Sequence, residues 1–406
     1  MGHRGSQLRV IVTGLIADYP LGGMAWHYLQ YVLGMARLGH DVFYLEDSGR
    51  DPYNPVEGGP SAHCRYNAPY LAELMARFGL ERRWAYRSSI DGRWYGMSDE
   101  RRREMLETAD LLINISGSLE CPDAYRGVPR LAYVDTDPAF TQLKLLRNHA
   151  RFAARVDAHD VHFSFGELIG GALQPTGHRW RPTRQPVVLA EWRPSTQSRN
   201  VYTTVMSWTS YRSETYAGQV YGHKDLEFER FLDLPTVVAP IGLEIAIAPG
   251  RAGGMPSDLL ARAGWRIVDP NSVCPDLDGY RTYIESSKAE WSVAKNAYVQ
   301  ARSGWFSERS ACYLAAGRPV VLQDTGFSGF LPTGEGILSF ETFDEAVAAL
   351  RDVQGNYRRH ARAALALADE YFDSDKVLTR LIESALASET SEPATAGGPS
   401  GRAASV

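Results

Sequence analysis

Several stretches of the 406-residue chain set charged side chains at the ends of apolar runs, where a folded chain can aim them at a ligand. Arg212 and Lys224 follow "VYTTVMSW", Lys295 ends "EWSVAK", and Glu308 and Arg309 open "SERSACYLAAG". Guanidinium and ammonium groups fixed at strand ends suit a diphosphate, and a cation at a helix N-terminus is unfavourable unless an anion offsets it. The competing reading of Arg212, Lys224 and Lys295 is a set of solvated surface charges. Asp324-Thr325-Gly326-Phe327 ends the run that begins "PVVLQ". Its glycine either lets backbone N–H groups approach a ligand or belongs to a plain connector. Nearer the front, Gly22-Gly23 offers an anion site at a helix start or a simple turn. His27, one turn on, can take a proton from a hydroxyl, or is an ordinary helix histidine. Asp18, Asp47, Asp135 and Asp137 stand at strand ends as candidate carboxylate partners for it. The pair in "VDTD" suits hydroxyl binding at least as well as a metal, and no metal is expected. Trp26, Tyr28 and Tyr31 either line the same loop's cleft or belong to the core.

These residues need elements to hold them. "LRVIVTG" reads as a strand, "MAWHYLQYVLGMARLG" as a helix with Leu29, Val32, Leu33 and Ala36 on one face and Gly39 as its stop, and "HDVFYLED" as a second strand. Further apolar strands are expected at 110–116, 130–137, 160–166 and 186–192. Near-continuous apolar strands imply a parallel sheet covered on both faces. The polar run 193–200 reads as a linker, after which the alternation restarts, with a helix expected over 224–234. The fold class is therefore α/β, with two Rossmann-like doubly wound parallel-sheet domains facing across a cleft. The first spans 1–192 and the second 201–372, with a helix at 373–387 that packs back on the first domain. Residues 388–406, rich in Ser, Ala, Gly and Pro, read as a disordered tail. In open parallel sheets ligands lie beyond the carboxyl ends of the strands, which is where the candidate residues fall.

A formal charge of −5 gives no general attraction to phosphate backbones. Neither nucleic acid nor a membrane is expected as a partner, and no apolar run approaches the length of a membrane span. The four cysteines, Cys64, Cys121, Cys274 and Cys312, lie too far apart for a Cys-x-x-Cys pair and read as reduced thiols in a cytoplasmic protein. "MGHRGS" formally fits a myristoylation pattern, yet the first apolar run is interrupted by Asp18 and reads as a core strand. The absence of a G-x-G-x-x-G fingerprint argues against a dinucleotide cofactor.

The run "ACYLAAGRPVVLQDTG", with "YLQYVLGMARLGHDVFYLED" before it and "FDEAVAALRDV" after it, resembles the GT-B fold glycosyltransferases with a family 1 or family 4 type C-terminal domain. Their corresponding pattern is Glu-Ala-x-Ala-x-Gly-x-Pro-Val-Ile. The resemblance implies a nucleotide-sugar donor held by the C-terminal domain, an acceptor held by the N-terminal domain, and no obligatory metal or further cofactor. Aligning Gly317-Arg318-Pro319 on that pattern puts Cys312 where the family often has a glutamate that bonds the donor ribose. A thiol cannot bond two hydroxyls as a carboxylate does, so Glu308 is the expected substitute and Cys312 a small buried residue. Arg309 resembles an arginine that faces the diphosphate. The expected donor set is Arg212, Lys224, Lys295, Glu308, Arg309 and Asp324 to Phe327, with Trp265 or Val268 as the candidates for reading the base. His27 and Asp137 are the expected catalytic groups, and Gly22, Gly23 and Trp26 the acceptor or phosphate loop. The expected activity is that of a hexosyltransferase acting on a small, natural-product-like acceptor. A nucleotide-sugar epimerase on the same fold and a catalytically silent sugar-nucleotide or glycan-binding protein are the alternatives.

Overall fold

The computed structural model describes residues 7–169, 173–194, 198–250 and 254–387. The first lobe holds an eight-stranded sheet. From edge to edge its strands are Trp180–Pro182, Val161–Ser164, Leu131–Asp135, Leu111–Ile115, Arg9–Thr13, Asp41–Glu46, Trp84–Arg87 and Trp94–Gly96. All neighbours run parallel except the last pair, a hairpin. The second lobe holds a six-stranded, wholly parallel sheet: Arg266–Val268, Gly242–Ala248, Val201–Ser207, Ala289–Ser292, Val320–Gln323 and Ile337–Phe340. Core strands of both sheets are buried on both faces, as in Val10, Ile11 and Val12, which is what helices packed on either side demand.

Each sheet reverses its winding direction beside its own first strand. In the first lobe the reversal lies between Arg9–Thr13 and Leu111–Ile115, with Ile11 opposite Leu112. In the second it lies between Val201–Ser207 and Ala289–Ser292, with Thr203 opposite Glu290. Chain crossovers diverge to opposite faces at such a point and leave a crevice at the carboxyl ends.

The helices that flank these crevices end on glycine. Gly39 (φ +87°) and Gly317 (φ +67°) adopt the left-handed conformation. The following N–H groups reach back, His40 to the Met35 carbonyl and Arg318 to the Tyr313 carbonyl, and terminate the helices Gly22–Arg37 and Glu308–Ala315. Ser307 precedes the second of these helices, but its side chain makes no capping bond.

The chain passes between the lobes twice. Residues 186–192, read as a strand from their apolar sequence, form only a single bridge, Val187 to Asp373, and a 3₁₀ turn at Leu189–Glu191. The Val187 N–H donates to the Phe372 carbonyl at 2.7 Å, and the Ser374 N–H to the Val187 carbonyl at 2.9 Å. These apolar side chains are buried because two crossing segments lie side by side, not because they extend a sheet. After the second crossing, helix Ser374–Leu386 lies on helix Gly22–Arg37, burying Val377, Leu378, Leu381 and Ile382. The expected helix over 224–234 breaks into Asp225–Phe228, a 3₁₀ turn Glu229–Phe231 and Leu234–Val237, with Pro235 at its start. The expected linker falls partly, and the expected tail wholly, outside the described residues.

Candidate functional site

At the first-lobe crevice, Ser116 follows the strand Leu111–Ile115 with φ +60°, a conformation uncommon for any residue but glycine. Its hydroxyl lies 2.7 Å from Thr136 Oγ1 and 3.5 Å from His27 Nε2. His27 projects from the second turn of helix Gly22–Arg37 among the rings of Tyr28, Tyr31 and Phe165. Burial holds its pKa below the ordinary histidine range, partly countered by the Glu308 carboxylate of the other lobe. The imidazole is therefore neutral and able to accept a proton near pH 7. Asp18 bonds the hydroxyls of Ser48 and Tyr86, while Glu46 receives the Ala17 and Asp18 N–H groups and the Tyr44 hydroxyl. Burial raises both carboxyls, and together they shape the loop after the first strand.

At the second-lobe crevice the cations converge. Lys224 Nζ donates to Ser292 Oγ at 3.3 Å, and Arg309 Nη2 donates to the same hydroxyl at 3.0 Å. Arg309 also bonds Glu290 through Nε at 2.5 Å and the Val205 carbonyl at 2.8 Å. All three charged groups are buried, and Glu290 Oε2 has no hydrogen-bond partner. Burial opposes the Arg309 charge, but Glu290 more than offsets it and keeps the guanidinium firmly protonated. Lys224 is the reverse case: burial first, then the neighbouring Arg309, hold its pKa well below the usual lysine range. Lys224 and Arg309 share this desolvated place with the Glu290 and Glu308 carboxylates, and an incoming anion there would favour the charged form of Lys224.

A third cluster joins the lobes. Asp137 of the first lobe accepts from Lys295 Nζ at 2.8 Å and from the Tyr211 and Tyr298 hydroxyls of the second. Phe140, Tyr211 and Tyr298 rings surround the Lys295 ammonium at 5.1–5.2 Å. Burial pushes the Asp137 carboxyl up, but Lys295 and the two phenols outweigh it and hold it below the usual carboxylate range. Neither Asp137 nor Lys295 is free to act on a ligand in this arrangement. Asp135 is likewise spent on the Asp137 N–H and the side chains of Thr141, Gln142 and Ser164.

Other expected site residues fall elsewhere. Gly22 and Gly23 lie against the second lobe: a Cβ on Gly22 would overlap the Asp276 carbonyl oxygen and come within 2.6 Å of Tyr280 Cβ, and one on Gly23 would come within 3.0 Å of the Tyr280 ring. The glycines permit lobe contact, a role that the turn-or-anion alternatives did not include. Trp26 donates to the Leu277 carbonyl at 2.8 Å and packs on Trp192, so it is interlobe core and not a cleft wall. Arg212 is exposed and forms no ion pair among the described residues. Asp324 accepts the Gly326 N–H at 2.8 Å and the Ser328 hydroxyl at 2.5 Å, Thr325 donates to the Trp305 carbonyl, and Phe327 packs on Phe306. This loop turns its side chains inward, and the Gly326 amide is already used. Trp265 donates to the Leu232 carbonyl and is buried between Phe228 and Trp291, in the core of the second lobe. Cys312 is buried with its thiol pKa pushed up, chiefly by burial. Glu290, Ser292, Ser116 and Tyr298 were not singled out from the sequence. The signal for Glu290 was a carboxylate inside an otherwise buried strand, and for Tyr298 its place one turn after Lys295.

Two Rossmann-like lobes whose carboxyl edges meet at a cleft define the GT-B fold. Solved structures share it over nearly their full length. The Anabaena protein HepE in complex with UDP-glucose aligns with TM-score 0.57 over 93% of this chain and 99% of its own, at 11% identity. An α-glucosyltransferase in complex with UDP and a 13-mer DNA gives 0.54 over 93% and 99%, at 10% identity. AviGT4, a glycosyltransferase involved in avilamycin A biosynthesis, gives 0.53 over 93% and 96%, at 14% identity. No family model matches the chain. Among curated proteins, a phosphoribosylamine–glycine ligase of Halalkalibacterium halodurans is 24% identical over 120 residues, 30% of this chain. The match spans only 27% of that protein. Among the described residues no group of three or more His, Cys, Asp or Glu is placed to hold a metal ion, and no helix is long and apolar enough to cross a membrane.

Proposed function

We propose that the protein is a glycosyltransferase that moves a sugar from a nucleoside-diphosphate donor to a small hydroxyl-bearing acceptor, with protein cations in place of a metal. The observation that carries this reading is the convergence of Lys224 and Arg309 on Ser292 at the second-lobe winding reversal. Solved proteins of this fold are in complex with UDP and UDP-glucose, so UDP is the first nucleotide to test. In the reaction the bond between the sugar C1 and the diphosphate oxygen breaks, and its electron pair leaves on the diphosphate. Lys224 and Arg309 stabilise that charge as it develops. The acceptor oxygen attacks C1 while the His27 imidazole takes its proton. The aromatic rings beside His27 favour an acceptor with an apolar or aromatic portion.

Calorimetry with UDP tests the donor half. The Lys224→Ala chain should bind UDP at least about tenfold more weakly than wild type, equivalent to roughly 1.4 kcal/mol. Because burial depresses the free Lys224 pKa and a diphosphate opposes that shift, wild-type binding should take up protons at pH values where the free amine is partly neutral. The apparent binding enthalpy should then depend on the buffer's ionisation enthalpy, and Lys224→Ala should lose that dependence. Equal affinities in the two chains would overturn the assignment. UDP binding without consumption of UDP-glucose, with acceptors or with water, would favour a silent binding protein.

A further inference from the structure

Helices Gly22–Arg37 and Glu308–Ala315 belong to different lobes and meet where the Gln30 amide donates to the Cys312 thiol at 3.5 Å. Both of those side chains are buried. Residues three or four apart share a helix face. One turn nearer the N-terminus of each helix lie His27 and Glu308, so the register that joins Gln30 to Cys312 directs His27 towards Glu308. Both are half-buried at the crevice. Glu308 makes no hydrogen bond or ion pair among the described residues, although it stands amid polar and charged groups. Around it are His27, Tyr28 and Tyr31 from the first lobe, Tyr280 from helix Leu277–Ser286, Lys224, and Arg309 and Cys312 from its own helix. His27 is faced, besides Glu308, by Ser116 and the rings of Tyr28, Tyr31 and Phe165.

We propose that Glu308 is the positioning carboxylate of His27, so that the general base of the reaction is completed across the lobe boundary. The proposal rests on the glycosyltransferase reading. One imidazole nitrogen takes the acceptor proton while the other, as N–H, points to the carboxylate. Glu308 thereby fixes the ring and stabilises the imidazolium that forms, which returns its proton to solvent after transfer. Glu308 also occupies the helix N-terminus, where a negative charge is favourable in its own right. The base is then incomplete whenever the lobes part, which ties proton abstraction to closure. This differs from a ribose contact: losing a carboxylate committed to His27 lowers turnover without weakening nucleotide binding.

The full chain with labelled histidine, titrated by imidazole NMR and assigned with His27→Asn, gives a readout that needs no acceptor. Glu308→Gln should lower the His27 pKa by about 1 unit, while Glu308→Asp should keep it near the wild-type value. With UDP-glucose as donor and water as acceptor, Glu308→Gln should lower kcat about tenfold or more with UDP affinity not weakened, since a carboxylate beside Lys224 and Arg309 is removed. The acid limb of its pH profile should move to lower pH, since neutral His27 is the active form and its pKa has fallen. An unmoved His27 pKa in Glu308→Gln overturns the proposal, as does a loss of UDP affinity in place of the loss of turnover. Failure of the wild-type chain to bind any of UDP, TDP, GDP and ADP would overturn the glycosyltransferase reading instead, and the NMR titration would still decide whether the two side chains are coupled.

Discussion

Asp137 illustrates how a residue singled out for chemistry can be taken up by structure. A carboxylate at a strand's carboxyl end is well placed for a ligand, and the sequence makes that much visible. What the sequence hides is the second lobe, which brings Lys295, Tyr211 and Tyr298 onto it. Asp137→Asn should destabilise the chain by about 1–2 kcal/mol at pH 7 in urea unfolding, since the Lys295 ammonium loses a charged acceptor while keeping some contact with solvent. The folded carboxyl sits below its unfolded value, so its contribution is complete above the unfolded pKa of about 3.9 and fades as pH falls through the folded one. The wild-type advantage over Asp137→Asn should therefore shrink only below about pH 4. An advantage that disappears near pH 6 would mean the carboxyl is not held ionised. Lys224 precedes helix Asp225–Phe228 and Arg309 lies in helix Glu308–Ala315, yet both reach Ser292 at the carboxyl end of strand Ala289–Ser292, and strand ends can be read from apolar runs.

Among the elements, long strands and the helices between them followed from apolar periodicity, because both sheets are covered on two faces. The strands Trp84–Arg87, Trp94–Gly96, Trp180–Pro182 and Ile337–Phe340, at or next to the sheet edges, did not. Each is three or four residues long, and such short runs carry too little pattern to separate a strand from a loop. The glycine pair at 22–23 was visible, but its purpose lay in an element distant in sequence, helix Leu277–Ser286. Gly22→Ala should cost about 1–3 kcal/mol by overpacking, because a backbone carbonyl, not a yielding side chain, stands in the way. Urea unfolding followed by tryptophan fluorescence would measure it. Gly127→Ala, whose Cβ would meet nothing within 4 Å, is the control and should leave the midpoint unchanged.

For the molecule as a whole, the two-lobe architecture was readable from the restart of alternation beyond residue 200, whereas the mutual placement of the lobes was not. That placement decides which of the candidate groups meet. The last helix shows the same dependence, since it lies far in sequence from the helix it covers. Ending the chain after Asp373 would remove Val377, Leu378, Leu381 and Ile382 and uncover the face of helix Gly22–Arg37 on which they pack. At roughly 1.5–3 kcal/mol for each aliphatic side chain, the loss rivals the whole stability of a typical domain, about 5–15 kcal/mol. Such a chain should elute as aggregate in size-exclusion chromatography and bind an apolar dye. A monodisperse, dye-silent product would show that this helix is dispensable.

The paired passages at Val187 and Asp373 constrain how the molecule can breathe. Ribbons fastened edge to edge by main-chain bonds cannot slide past each other without breaking them, so they serve as the pin of a door. Any opening of the crevice that keeps those bonds swings one half about that pin, with the far rim of the crevice travelling furthest and the residues beside the pin scarcely moving.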